Sequence, residues 1–248
     1  MTLFEEHIIL LKSNAFTNII QNDSFLFLET PDFLNEYLVP VVPIEEFDLE
    51  SAQDLLSKEN DDGKIVSVYI SELLRNDYQP LLEKLGYSEA YKDVYLFNNT
   101  DEDFQVDIDA QLEEVKDEDY DQYLGFLKEA FPEWENEIDY TNYFHELSKS
   151  SSEKKNFKDF VLKYNSQIVS MGSIIIDKEL DLAYIHNAAT VTDWRRQGFF
   201  VVLNMLMCNY SRNLDVKRFY AVVTEGEGSY HAYKKLGFEE REIYYSYS

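Results

Sequence analysis

The 248-residue chain has one cysteine, Cys208, which excludes a disulfide framework and any zinc site built from several cysteines. Glycine and proline are scarce, eight and five in all, so no collagen-like or Pro/Gly-rich disordered segment is present. No run of eighteen apolar residues occurs, and no membrane-spanning helix is expected. The opening MTLFEEHIILLK carries two acids where an export signal needs positive charge, so the sequence points to a cytoplasmic protein. Bases are also few: 22 Lys and Arg stand against 48 Asp and Glu, for a net charge of −26. Binding a phosphate backbone needs clustered bases, so nucleic acid is not expected as a partner.

What is there suffices for a fold. With 45% hydrophobic and 15% aromatic residues the chain can furnish cores for one large domain or two small ones. The acidity is uneven. Residues 1–100 hold 19 acids and 6 bases, residues 101–150 hold 17 and 3, and residues 151–248 hold 12 and 13. The last segment is therefore close to neutral, while the acidic remainder serves solubility or attracts a cationic substrate.

The acidic, turn-rich segment 98–107, NNTDEDFQVD, is the candidate linker between the two parts. Beyond it, the spacing predicts a helix over 117–129, stopped by Pro132. Strands are predicted at 157–164, 167–176 and 182–191. The nearly continuous apolar run 199–210 reads as a buried helix. A strand at 217–223, a helix at 229–236 halted by Gly237 and a final strand at 241–247 complete the order. That order implies an α/β protein with a mixed sheet covered by helices. An internal echo accompanies it: LLEKLGYSEAYKDVYL (81–96) matches AYKKLGFEEREIYYSY (232–247), each copy following a short apolar strand. A smaller, degenerate copy of the later fold is thus expected in residues 1–100, where 36–56 would supply a strand-to-helix unit.

Four of the eight glycines lie between Gly198 and Gly237. Gly198 stands in WRRQGFF, between a predicted strand and the buried helix. A loop holding a glycine and two arginines before a helix suits an anion, because the first N–H groups point outward and the helix dipole favours negative charge. One helix and one strand later comes Tyr233-Lys234-Lys235-Leu236-Gly237-Phe238. The two motifs together resemble the GNAT family of N-acetyltransferases, which carries R/Q-x-x-G-x-G/A after its fourth strand and Y-x-x-x-G-F some way further on. The resemblance covers residues 105–248. It departs from the family at Phe200, where glycine or alanine is usual, and at Gly226, where an asparagine is frequent.

The resemblance implies a GNAT fold at 105–248 and acetyl-CoA as co-substrate. The diphosphate would be cradled by Arg195, Arg196, Gln197, Gly198, Phe199, Phe200 and Val201, and a backbone N–H among Ala188, Ala189 and Thr190 on the cofactor-binding strand would donate to the oxyanion. Tyr233 would be the general acid that protonates the departing thiolate. An amine must lose a proton before it attacks, and His186 is the better base candidate, with Glu225 the weaker and ordered water a third option. The acceptor is expected to be a primary amine on a cationic molecule or a lysine, met near Trp134, Glu135, Asp139 and Tyr143. No metal and no membrane partner are expected, and a homodimer is left open. In the earlier copy the tyrosine position holds Leu82, so that half should bind no cofactor. Two other readings stay open: an acyl-CoA-binding module without turnover, and an acidic interaction protein.

Overall fold

A computed structural model describes residues 1–14, 18–21, 25–29, 39–43, 66–116, 120–130 and 156–248. The chain forms two compact units, Met1–Val94 with Arg241–Ser248, and Tyr95–Glu240.

The first unit opens with helix α1 (Leu3–Asn14). Thr2 and Glu5 close a capping box: the Glu5 N–H donates to Thr2 Oγ1 at 3.1 Å and the Thr2 nitrogen donates to Glu5 Oε2 at 2.7 Å. Strands β1 (Asn18–Gln21), β2 (Phe25–Glu29), β3 (Val39–Pro43) and β4 (Val66–Ser71) follow. Helix α2 (Arg75–Lys84) leads into β5 (Glu89–Asn98), which passes from the first unit into the second. The chain's last strand, β11 (Glu239–Tyr247), pairs antiparallel with β4 from Tyr244–Ser71 to Tyr247–Val68. Strand order here is β1-β2-β3-β4-β11-β5. Val68, Ile70, Tyr78, Leu82, Tyr245 and Tyr247 pack into one core. The strand expected at 65–70 is thus present. Within 36–56 only β3 is described, and the expected helix lies outside the described residues.

The second unit carries β6 (Gln111–Glu114), α3 (Tyr120–Ala130), β7 (Phe157–Tyr164), β8 (Gln167–Asp177), β9 (Leu182–Thr190), α4 (Phe199–Arg212), β10 (Arg218–Thr224) and α5 (Gly228–Lys235). Its strands run β5-β10-β9-β8-β7-β6, with the pairs β6–β7, β7–β8 and β8–β9 antiparallel and β10 parallel to β9. This is the mixed α/β sheet that the sequence predicts. β8 is buried along nearly its whole length, which is why no charged residue stands in it before Asp177.

Two faces of this sheet can be told apart. Met171 and Val161 meet α3 through Tyr123, Leu124 and Leu127. Gly172, one residue on, faces α4, where a Cβ would lie 3.1 Å from Met207 Cε and 3.2 Å from Leu203 Cδ2. Segment 98–107 begins at Asn98, the last residue of β5, has no regular structure after it and is fastened to α4. Asn209 makes two bonds of 2.9 Å with the Phe104 backbone, and Arg212 donates to the Thr100 carbonyl through both Nε and Nη2.

Candidate active site

β9 and β10 share a parallel ladder from Leu182–Arg218 to Tyr184–Tyr220. β9 then runs on to Thr190 and β10 to Thr224 beyond that ladder, so the strands part. A bulge reinforces the parting. Met171 pairs with Ala189 and Ser173 with His186, so Gly172 faces both Asn187 and Ala188, and Asn187 takes φ +50°. A Cβ on Gly172 would come within 3.3 Å of Ala188 Cα, so only glycine allows this close approach without movement. Ala188 and Ala189 therefore lie on the stretch beyond the ladder. Thr190 ends it, with its hydroxyl 2.8 Å from that of Ser170.

A short 3₁₀ turn (Thr192–Trp194) carries the chain to the loop before α4. Arg196 and Gly198 both have positive φ, +64° and +89°. Gly198 is the N-cap of α4, no side chain caps that end, and no acid stands in the first turn. The first N–H groups of α4 consequently face outward from an exposed loop holding Arg195, Arg196 and Gln197. Arg195 Nε is tied to the Thr190 carbonyl at 3.0 Å and Gln197 Nε2 to the Asp193 carbonyl at 3.3 Å, which fixes the loop's shape. A Cβ built on Gly198 would meet nothing within 4 Å among the described residues. Such a cradle fits a diphosphate. Phe199 turns inward against Tyr164 and Trp194, Val201 is partly buried, and Phe200 sets its ring edge-on to Tyr233 with centroids 5.5 Å apart. The bulky departure at position 200 thus packs towards α5.

Tyr233 is buried, and its hydroxyl donates to Asn204 Oδ1 at 3.0 Å. Burial raises its pKa well above the ordinary phenol value, so it is a neutral phenol at physiological pH. His186 is on the α3 face of the sheet, stacked on Tyr184 at 5.0 Å and met edge-on by Phe157 at 5.2 Å. Burial lowers its pKa to about 4, against a weaker upward pull from the Asn187 side chain. Its buried Nε2 has no hydrogen-bond partner among the described residues, and the lowered pKa makes the imidazole neutral. Glu225 is exposed just past the end of β10. The structure brings Tyr233 together with Phe200 and places His186 on the parted strand; Trp134, Glu135, Asp139 and Tyr143 lie outside the described residues.

Two features were not found from the sequence. Asp159, Ser173 and His186 occupy facing positions on three adjacent strands. Ser173 donates to Asp159 Oδ1 at 2.5 Å and Tyr123 donates to the same oxygen at 3.0 Å. Burial raises the Asp159 carboxyl to about 6, with the hydroxyl bonds pulling the other way. The available signal was an acid inside the apolar strand 157–164. The second feature is Asn204, fully buried and the one polar residue in the run FFVVLNMLMC.

No curated protein matches the chain by sequence. Many solved structures share its fold. A GCN5-related N-acetyltransferase from Kribbella flavida aligns with a TM-score of 0.68 at 14% identity, covering 98% of this chain and 92% of that one. Another from Sphaerobacter thermophilus gives 0.71 at 12% identity, over 98% and 84%. A tandem GNAT protein from the clavulanic acid biosynthesis pathway gives 0.62 at 10% identity, over 97% and 86%. Residues 113–238, just over half the chain, match the acetyltransferase (GNAT) family. That span takes in the parted strands, the anion loop and the helix bearing Tyr233, so the chain belongs to the GNAT family and is an acyltransferase.

Proposed function

We propose that this acetyltransferase moves an acetyl group from acetyl-CoA to a primary amine, on a cationic small molecule or a lysine side chain. The observation that carries the reading is the junction of the β9–β10 parting with the uncapped start of α4. The parting offers a slot edged by backbone N–H and C=O groups, and the loop at its end offers N–H groups and two arginines to a diphosphate. Arg195–Val201 would hold that diphosphate, with Ala188–Thr190 alongside the chain that leads to the thioester. The thioester supplies the activated acetyl group.

The protein's own residues then have definable tasks. A backbone N–H of Ala188 or Ala189 donates to the carbonyl oxygen as negative charge develops there. His186 takes the amine proton at Nε2, which has no hydrogen-bond partner among the described residues. With its conjugate acid near 4, this base works on an amine that is already largely neutral in the site. Tyr233 gives its phenolic proton to the departing sulfur, and solvent restores it. Neither step requires a metal. A cationic acceptor is favoured by the net charge of −26, which draws cations towards the protein.

One observation favours a second reading, an acyl-CoA-binding module without turnover: the Tyr233 hydroxyl is buried and already engaged by Asn204. Melting curves with acetyl-CoA test the shared part, since a ligand of the folded state raises the melting temperature. The proposal expects a rise with millimolar acetyl-CoA that shrinks in the Arg195→Ala/Arg196→Ala double variant. No rise at all in the wild-type chain would refute both readings.

The fold and the echo also support a degenerate GNAT-like half before the active one, a tandem arrangement like the clavulanic acid pathway protein. That half carries no anion loop among its described residues, and its role is support. Its activity can be checked with Leu82→Tyr, which should give the first half no acetyl-CoA binding.

A further inference from the structure

We infer that Asn204 is a positioning residue for Tyr233, one that holds the phenol protonated and parked until a stronger acceptor arrives. This rests on the reading of Tyr233 as the proton donor.

The geometry starts from the amide itself. Asn204 Nδ2 donates to the Phe200 carbonyl at 2.7 Å, and a carbonyl can only accept. The amide therefore cannot turn over, and its Oδ1 must face Tyr233. That oxygen can only accept, so the 3.0 Å contact is a bond from the phenol proton to Asn204. Asn204 is fully enclosed and Tyr233 nearly so, which makes Oδ1 the partner of the phenol in the resting chain. The ring is held by Phe200 edge-on at 5.5 Å and by Phe238 at 5.1 Å, so the hydroxyl can swing its proton but the ring cannot withdraw.

Two consequences follow from acceptor-only chemistry. A phenolate at this position would face an amide oxygen with no donor, so Asn204 opposes loss of the proton into the protein. A thiolate, being charged, makes a stronger hydrogen bond than a neutral amide and can draw the O–H away from Oδ1. Proton transfer then breaks O–H and forms S–H, and the lone phenolate, unsupported by Asn204, regains a proton from solvent. The other titratable groups around Tyr233 are Cys208 on α4, whose thiol burial pushes up to about 12, and Tyr184 on β9. Both act to raise the Tyr233 pKa, and neither supplies a positive charge that would stabilise the phenolate.

The test pairs a spectrum of the free protein with a double-mutant cycle. With 13Cζ-labelled tyrosine, and Tyr233→Phe to assign the signal, the Tyr233 hydroxyl proton should exchange slowly in the wild-type chain and be lost in Asn204→Leu. In kinetics, Asn204→Leu should lower kcat about tenfold with little change in the KM for acetyl-CoA. In a Tyr233→Phe background it should add nothing. Asn204→Ser, too short to reach Tyr233, repeats the test without adding methyl groups. An Asn204 effect of equal size in both backgrounds, or an unchanged hydroxyl signal, would overturn the inference while leaving Tyr233 as acid. An unchanged kcat in Tyr233→Phe alone would overturn the acid role and this inference with it.

Discussion

The ends of α2 and α5 have the same construction. Each helix finishes Lys-Leu-Gly, at Gly86 with φ +92° and at Gly237 with φ +81°. The Tyr87 N–H returns to the Leu82 carbonyl at 3.0 Å, and the Phe238 N–H returns to the Tyr233 carbonyl at 3.1 Å. Each turn leads into a long strand, β5 or β11. Leu82 and Tyr233 hold equivalent places, both buried, but Leu82 packs among Val68, Ile70 and Tyr78 while Tyr233 offers a hydroxyl to Asn204. The backbone motif is therefore structural in both halves. On the proposed mechanism, chemistry enters through the side chain five residues before the aromatic and through the loop ahead of the preceding helix.

Truncation should break the comparison most sharply. Leu82→Ala leaves a cavity in the first unit's core and should cost about 2–5 kcal/mol of stability without altering acetyl-CoA affinity. Urea unfolding and ligand titration would check both halves of that statement. Tyr233→Phe keeps the ring and its packing, so stability should change little. Loss of the acid should slow turnover about a hundredfold at unchanged acetyl-CoA affinity.

The cluster of Val68, Ile70, Tyr78, Leu82, Tyr245 and Tyr247 in the first unit is aliphatic and aromatic, with buried Glu6 and His7 outside it. The second unit instead buries Asp159 and sets His186 on a facing strand position, both with shifted pKa values. Asp159 has a raised pKa in the fold, so the folded state holds its proton more firmly. Its stabilising contribution is complete below about 3.8 and is lost as pH rises through about 6. His186 has a lowered pKa, so its contribution is present above 6.5 and lost as pH falls through about 4. Each shift corresponds to about 3 kcal/mol. The two slopes oppose one another between pH 4 and 6. Relative to wild type, melting temperatures of Asp159→Asn should therefore climb more steeply with pH, and those of His186→Gln less steeply. Parallel curves for all three proteins would refute the assignment.

The smallest effects should sharpen the likeness of the two turns. Gly86→Ala and Gly237→Ala each force a side chain into left-handed backbone and should each cost about 1 kcal/mol. The Gly237 change adds a contact of 3.5 Å with Asn98 Nδ2, so it should be marginally the worse in thermal melts.

How much could be read beforehand follows from which signals are local. β7, β8, β9, α4, β10 and α5 appear where the alternation, the apolar runs and Gly237 place them. The loop before α4 was legible because its parts, Arg195 to Gly198, are consecutive. Asp159 was not, because its partnership depends on the register of three strands and on a tyrosine 36 residues away. The pairing of β11 with β4 was equally hidden, since the partners lie far apart in the chain. Asn204 reads in sequence as one polar residue on an apolar helix, and only the fold shows that Tyr233 lies against it.

The central claim is that one half of this protein carries out amine acetylation, through the parted strands, the anion loop and Tyr233. Its most direct test is release of free coenzyme A thiol from acetyl-CoA over a panel of polyamines, amino sugars and amino acids, run with wild type and Tyr233→Phe. The account predicts amine-dependent release by wild type, slowed about a hundredfold by the substitution. Amine-dependent release that proceeds equally fast in Tyr233→Phe would contradict it.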